Sequence, residues 1–148
     1  MPTYICSTSA NRLTGEQRAK IAETITTVHS EEALAPRYLV QVIFREVAPT
    51  ENYIGGKPAP LSHIWIRADI RAGRTELQRT TLQLRMAREV SKIAGSSMDD
   101  IWIYLNELLP TNMIEFGHLL PQPGQEKQWF ESLPPEVQQR LGKLENPG

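Results

Sequence analysis

Two arginines stand close together in Arg71-Ala-Gly-Arg74-Thr75, between a β-branched run and the start of a helical pattern. Free N–H groups and the macrodipole already make a helix N-terminus partly positive, so two guanidinium groups there repel it unless an anion joins them. Their forks grip a carboxylate or phosphate bidentately, and the helix end adds donors. With no glycine-rich phosphate loop beside them, a carboxylate suits them better than a triphosphate. The alternative is that both arginines point into solvent or pair with carboxylates of a neighbour. His29 continues the apolar face of Ala22 and Ile25 into the last turn of a helix. The C-terminal dipole there favours the imidazolium, and a satisfied structural histidine is the plainer role. Glu115, in Asn112-Met-Ile-Glu115-Phe-Gly117, is a lone acid among apolar neighbours, with a raised pKa if buried and an ordinary surface carboxylate if not. Tyr104 lies on the side of a strand opposite Ile103 and Leu105 and reads as a core tyrosine with its hydroxyl satisfied. Pro2 becomes a secondary amine once Met1 is removed, able to act as base, acid or nucleophile. Its pKa falls if the arginines and a desolvated pocket are near and rises if a carboxylate is nearer; otherwise it is merely a proline allowed at the start of a strand. His29, His63, His118 and Cys6 show no metal-ligand spacing, so no metal is expected.

The elements that must position these residues come from periodicity. Between Thr14 and Ala35, Ile21, Ala22, Ile25 and Val28 recur at helical spacing. Thr14 with Gln17 forms a capping-box signature, and Pro36 stops the helix. Residues 37–46 are β-branched and aromatic on both faces and read as a buried strand. Residues 63–70 read likewise as a strand, with Ile64, Ile66, Ala68 and Ile70 on one face and Trp65, Arg67 and Asp69 on the other. A second capping box, Thr75 with Gln78, precedes the stripe Leu82, Met86, Val90 and Ile93, with Gly95 placed to cap its end. Residues 101–105 form the next strand.

Strand, helix and strand thus occur twice at one offset, because Thr75 minus Thr14 and Glu107 minus Glu46 are both 61. The chain reads as a single domain over 1–148, a tandem repeat of about 2–62 and 63–125 with a tail over 126–148. Each β-α-β unit can bury one sheet face only. Two halves side by side give a two-layer α/β (α+β) fold with a four-stranded core sheet and both helices on one face. The other, apolar face then calls for burial against further subunits in a closed ring. Met113 to Leu120 reads as a hairpin, and Pro134-Pro135 opens a last short helix in a tail that lies along the domain or a neighbour.

Composition narrows the function classes. A length of 148 residues supports one domain with a proper core, and 16 Lys plus Arg against 17 Asp plus Glu leave a charge of −1. The general attraction to phosphate on which nucleic-acid binders rely is missing, and no nucleic-acid partner is expected. The single Cys6 cannot form an intrachain disulfide, and the start lacks the basic and apolar segments of a secretion signal. A cytoplasmic location is the expectation. The most apolar stretch, Tyr38 to Phe44, spans seven residues where about 20 are needed to cross a bilayer, so no membrane partner is expected.

Taken together, these residues resemble the tautomerase superfamily in its duplicated form, and within it the cis-3-chloroacrylic acid dehalogenase group. The resemblance spans nearly the whole chain. It is carried by Pro2, Asn11-Arg12-Leu13-Thr14, His29, Leu39 with Gln41-Val42, Arg71-Ala-Gly-Arg74, Ile101-Trp-Ile-Tyr104, Met113-Ile-Glu115-Phe-Gly117, Leu120-Pro-Gln-Pro-Gly124 and Trp129-Phe130. It implies that Pro2 is the catalytic acid or base and that Arg71, Arg74 and His29 bind and polarise a small carboxylate substrate. It further implies that Tyr104 and Glu115 activate water, that Leu39 belongs to the substrate-binding residues, that no cofactor is used and that the chain forms a homotrimer. The expected reaction is hydration or hydrolytic dehalogenation of 3-substituted cis-acrylates, with keto–enol tautomerisation and a non-catalytic trimeric binding protein as alternatives. Two departures stand out. Phe116-Gly117-His118 replaces the Tyr-Gly-Arg of the dehalogenases, and Ala35 stands where they have Thr.

Overall fold

The computed structural model describes residues 2–146. Both long helices begin on the same device. Thr14 and Thr75 accept the backbone N–H of Gln17 and Gln78, whose side chains take back the cap N–H, each cap contributing about 1 kcal/mol. They open α1 (Gly15–Ala33) and α2 (Glu76–Ala94), which close on the left-handed residues Leu34 and Gly95. Around them lie β1 (Pro2–Ser9), β2 (Gln41–Val47), β3 (Tyr53–Ile54), β4 (Lys57–Pro58), β5 (Ile64–Arg71) and β6 (Ile101–Leu108). A hairpin of β7 (Ile114–Glu115) and β8 (His118–Leu119) follows, then α3 (Glu126–Ser132) and α4 (Pro135–Glu145).

The central sheet has the order β2-β1-β5-β6, with β1 parallel to β2, antiparallel to β5, and β5 parallel to β6. Alternation along β1 and β5 turns Tyr4, Cys6, Ile64, Ile66, Ala68 and Ile70 onto Ile21, Ile25 and Val28 of α1 and Leu82, Met86 and Val90 of α2. Both helices therefore cover one sheet face, as the periodicity predicts. A second cluster, Tyr38, Leu39, Leu120, Leu133 and Leu141, fastens the tail to the loop before β2.

Four local expectations change. Residues 37–46 do not form one buried strand: Arg37–Leu39 is a 3-10 turn that drops Leu39 into the second cluster, and Gln41–Val47 is a half-exposed edge strand. The fourth strand of the pattern runs on to Leu108 rather than stopping at 105, because Leu108 pairs with Arg71. A first hairpin at 53–58 turns through Gly55-Gly56, both at positive φ. It sits 61 residues before its counterpart, since Ile114 minus Tyr53 is 61, and only the second was expected. The uncovered sheet face is mixed rather than apolar. Trp65, Trp102 and Tyr104 share it with Arg67, Asp69 and Asn106, and Asn106 donates to Asp69 at 3.0 Å.

Candidate active site

The site is built where β5 hands over to α2. Gly73 makes the turn at φ +119, and a Cβ there would stand 3.1 Å from Pro123 Cγ, so only glycine serves. On either side, Arg71 is fully buried and Arg74 is 7% exposed. The solvent-facing alternative for these arginines is thereby removed. Arg74 donates to the carbonyls of Arg71 (3.2 Å) and Ala33 (3.4 Å) and forms no ion pair among the described residues. Burial and the charge of Arg71 lower its pKa to about 10, which leaves it cationic at neutral pH.

Arg71 does have a partner, supplied by the chain itself. Its Nη2 donates to Glu126 Oε1 at 2.6 Å and its Nη1 to the Pro121 carbonyl at 2.7 Å, while Nε is buried without a partner. Burial pushes the Glu126 carboxyl up, but hydrogen bonds from Arg71 and from backbone N–H groups hold it below the usual carboxylate range. Removing one member of so buried a pair strands the other charge and costs about 3–5 kcal/mol.

Beside the arginines, His29 Nδ1 lies 2.8 Å from the hydroxyl of Tyr4, both residues being buried. Burial, followed by the charges of Arg74, the amino terminus and Arg71, holds the His29 pKa well below its ordinary value. The ring is neutral. Burial together with adjacent cations outweighs the helix dipole, and the imidazolium expected at the end of α1 does not form. A phenol is the better donor and an imidazole nitrogen the better acceptor, so the hydroxyl donates to Nδ1 and Nε2 keeps the hydrogen, a neutral N–H donor.

Pro2 begins β1 and is buried; Met1 lies outside the described residues. Glu115, on β7, is half-buried in the wall of a cavity of about 740 Å³ that also touches Thr3, Gln41, Phe116 and Arg140. Burial raises its pKa to about 7 against the pull of the amino-terminal and Arg71 charges, and its Oε2 is buried without a partner. A carboxyl that changes charge near neutrality in the wall of a cavity can take a proton from water.

Two of the expected site residues stand elsewhere. Tyr104 is not a core tyrosine: it is 55% exposed on the uncovered face, edge-on to Trp65 at 5.7 Å. It faces Arg67, and Arg67 faces Ile5, whereas Pro2 faces Ile70. Tyr104 is thus two strands away from Pro2, about 10 Å further along the sheet and on its other side. Leu39 is wholly buried in the second cluster and its N–H donates to the Pro36 carbonyl. It lies behind the cavity wall formed by its neighbours Tyr38 and Val40.

Two contributors were not singled out from the sequence. Tyr4 was within reach of sequence reasoning, since it shares a strand face with Pro2 at i+2. Glu126 was not, because nothing local ties it to an arginine 55 residues earlier. Among the described residues no group of three or more His, Cys, Asp or Glu side chains could hold a metal, and no helix is long and apolar enough to cross a membrane.

The Tautomerase_3 family model, described as "Putative oxalocrotonate tautomerase enzyme", matches residues 1–132. No curated protein matches the chain. Among solved structures, N1, a member of the cis-3-chloroacrylic acid dehalogenase (cis-CaaD) family, is 41% identical with a TM-score of 0.93, covering 95% of this chain and 99% of that one. A fused 4-OT asymmetric trimer is 19% identical (TM-score 0.73, 79% of this chain and 94% of that one). A malonate semialdehyde decarboxylase inhibited by 3-bromopropiolate is also 19% identical (TM-score 0.70, 89% and 99%). The last two likenesses speak for the fold alone.

Proposed function

This chain belongs to the Tautomerase_3 family of the tautomerase superfamily, and from that premise we propose that it is a cofactor-independent hydratase or hydrolytic dehalogenase of 3-substituted cis-acrylates. The observation that carries this reading is Glu115, a half-buried carboxyl in a cavity wall whose titration burial lifts to about pH 7 and whose Oε2 has no partner among the described residues. Arg74, Arg71 and the Nε2–H of His29 hold the substrate carboxylate and draw charge towards it. Glu115 takes a proton from water, the hydroxide adds to C3, and Pro2, with Met1 removed and its nitrogen cationic, protonates C2. When C3 carries a halogen, the resulting halohydrin expels hydrogen halide and leaves malonate semialdehyde. Leu39 acts through Tyr38 and Val40, which it supports against the cavity.

Tyr104 is too far from its own Pro2 to share in this chemistry, so if it helps to activate water it does so in the site of a neighbouring copy. That fits a homotrimer whose uncovered sheet faces turn inward. Sedimentation should then give a mass about three times 16.8 kDa, and a stable monomer at micromolar concentration would contradict it. Such a monomer would also leave Trp65, Trp102 and Tyr104 facing water.

Ketonisation of phenylpyruvate-like enols, with Pro2 neutral as the base, is the second reading, favoured by the description of the matching family. Measuring kcat/KM over 3-haloacrylates, acetylenic acids and enols separates the readings. Turnover of haloacrylates above enols supports the first, enols alone the second, and neither a non-catalytic binding protein. His118→Arg, which restores the dehalogenase residue, should raise haloacrylate turnover and leave ketonisation nearly unchanged.

A further inference from the structure

We propose that Glu126 is a positioning and specificity-determining residue: it cancels the charge of Arg71 and aims its fork, so that the site accepts one carboxylate and discriminates against dicarboxylates. The inference rests on the reading of Arg71 and Arg74 as a carboxylate site. Glu126 is only 8% exposed; one oxygen takes Arg71 Nη2 at 2.6 Å and the other takes the Gly124 N–H at 2.9 Å. The Pro121 carbonyl holds Nη1, which leaves Nε as the arginine's buried, unpartnered donor. The segment 121–126 is strapped over the turn by the contact of Pro123 with Gly73. Its far end is anchored by the Trp129 Nε1–H donating to the Leu119 carbonyl and by Leu133 and Leu141 in the second cluster. Arg71 is therefore held rigidly and is already neutralised, whereas Arg74 meets only backbone carbonyls. With His29 neutral and the cationic nitrogen of Pro2 matched by the Glu115 carboxylate, one surplus positive charge faces the ligand, which is the complement of a monoanion. A second carboxylate would add a negative charge that no further cation of this set matches.

The test is calorimetric titration with propionate and malonate, two three-carbon acids carrying one and two charges, neither of which offers a double bond to hydrate. Wild-type protein should bind propionate in preference to malonate. Glu126→Gln keeps the shape and the acceptor towards Arg71 but frees its charge, and should shift the ratio of the two dissociation constants towards malonate by about tenfold or more. The double variant Arg71→Gln/Glu126→Gln, again with one surplus charge, should return the ratio to the parental side. A folded Glu126→Gln protein with a parental ratio overturns the proposal. If that variant does not fold, Glu126→Asp carries the test, because its charge stays while the reach shortens. The ratio should then hold while both affinities fall, and parental affinities would overturn the assignment. Failure of the underlying reading looks different: neither anion binds wild-type protein, or Arg74→Ala leaves both affinities untouched.

Discussion

Glu115→Gln is expected to lower hydration of a 3-substituted cis-acrylate by about 10²–10⁴-fold, since an amide cannot accept the proton of the attacking water. Ketonisation of a phenylpyruvate-like enol should survive, because it moves a proton between carbon and oxygen through Pro2 and needs no activated water. The pH dependence sharpens the comparison. Burial lifts the Glu115 pKa to about 7, and the base works only when ionised. Hydration measured as kcat/KM should therefore rise with pH through about 7 and level off above it, and the residual activity of Glu115→Gln should lack that ascending limb. Steady-state rates for both reactions from pH 5.5 to 8.5 check this, those limits being chosen about 1.5 units either side of the titration. Equal loss of both activities would show that Glu115 holds the pocket or the substrate instead. Equal retention would place it outside the chemistry.

Arg74→Ala should cost about 2–4 kcal/mol in kcat/KM for carboxylate substrates, a loss of roughly 30- to 1000-fold, because a charged hydrogen-bond donor disappears from a desolvated site. Arg74 is the cleaner of the two arginines to test. Its folded-state partners are the carbonyls of Arg71 and Ala33, whereas Arg71→Ala would strand Glu126 and confuse catalysis with stability. Near-normal kinetics in a folded Arg74→Ala protein with a lowered melting temperature would make this arginine a structural brace between α1 and the β5–α2 turn.

What could be read beforehand follows the range of the interactions. Both capping boxes, both helices and the duplicated strand order are local patterns, and they place Pro2 and His29 in the first β-α-β unit and the two arginines in the second. The hairpin at 53–58 carried a Gly-Gly turn signal, but its flanking strands are only two residues long and show no period. Non-local effects were illegible. The charge state of His29 depends on burial and on Arg74, 45 positions later in the chain. The partner of Arg71 comes from the tail, and the exposure of Tyr104 depends on which face the helices leave open. The strand at 37–46 was misjudged because its apolar residues serve two cores, Leu39 the tail cluster and Val42 and Phe44 the main one.

The central claim is that a free prolyl nitrogen at position 2 transfers the proton to carbon, and it is tested most directly by comparing two forms of the protein distinguished by intact mass. One begins at Pro2 and the other keeps Met1, which turns that nitrogen into an amide. Halide release from cis-3-bromoacrylate, with malonate semialdehyde identified as the product, should occur with the form that begins at Pro2 and be absent from the other. Equal turnover by both forms, or none by the form with the free proline, would contradict the account.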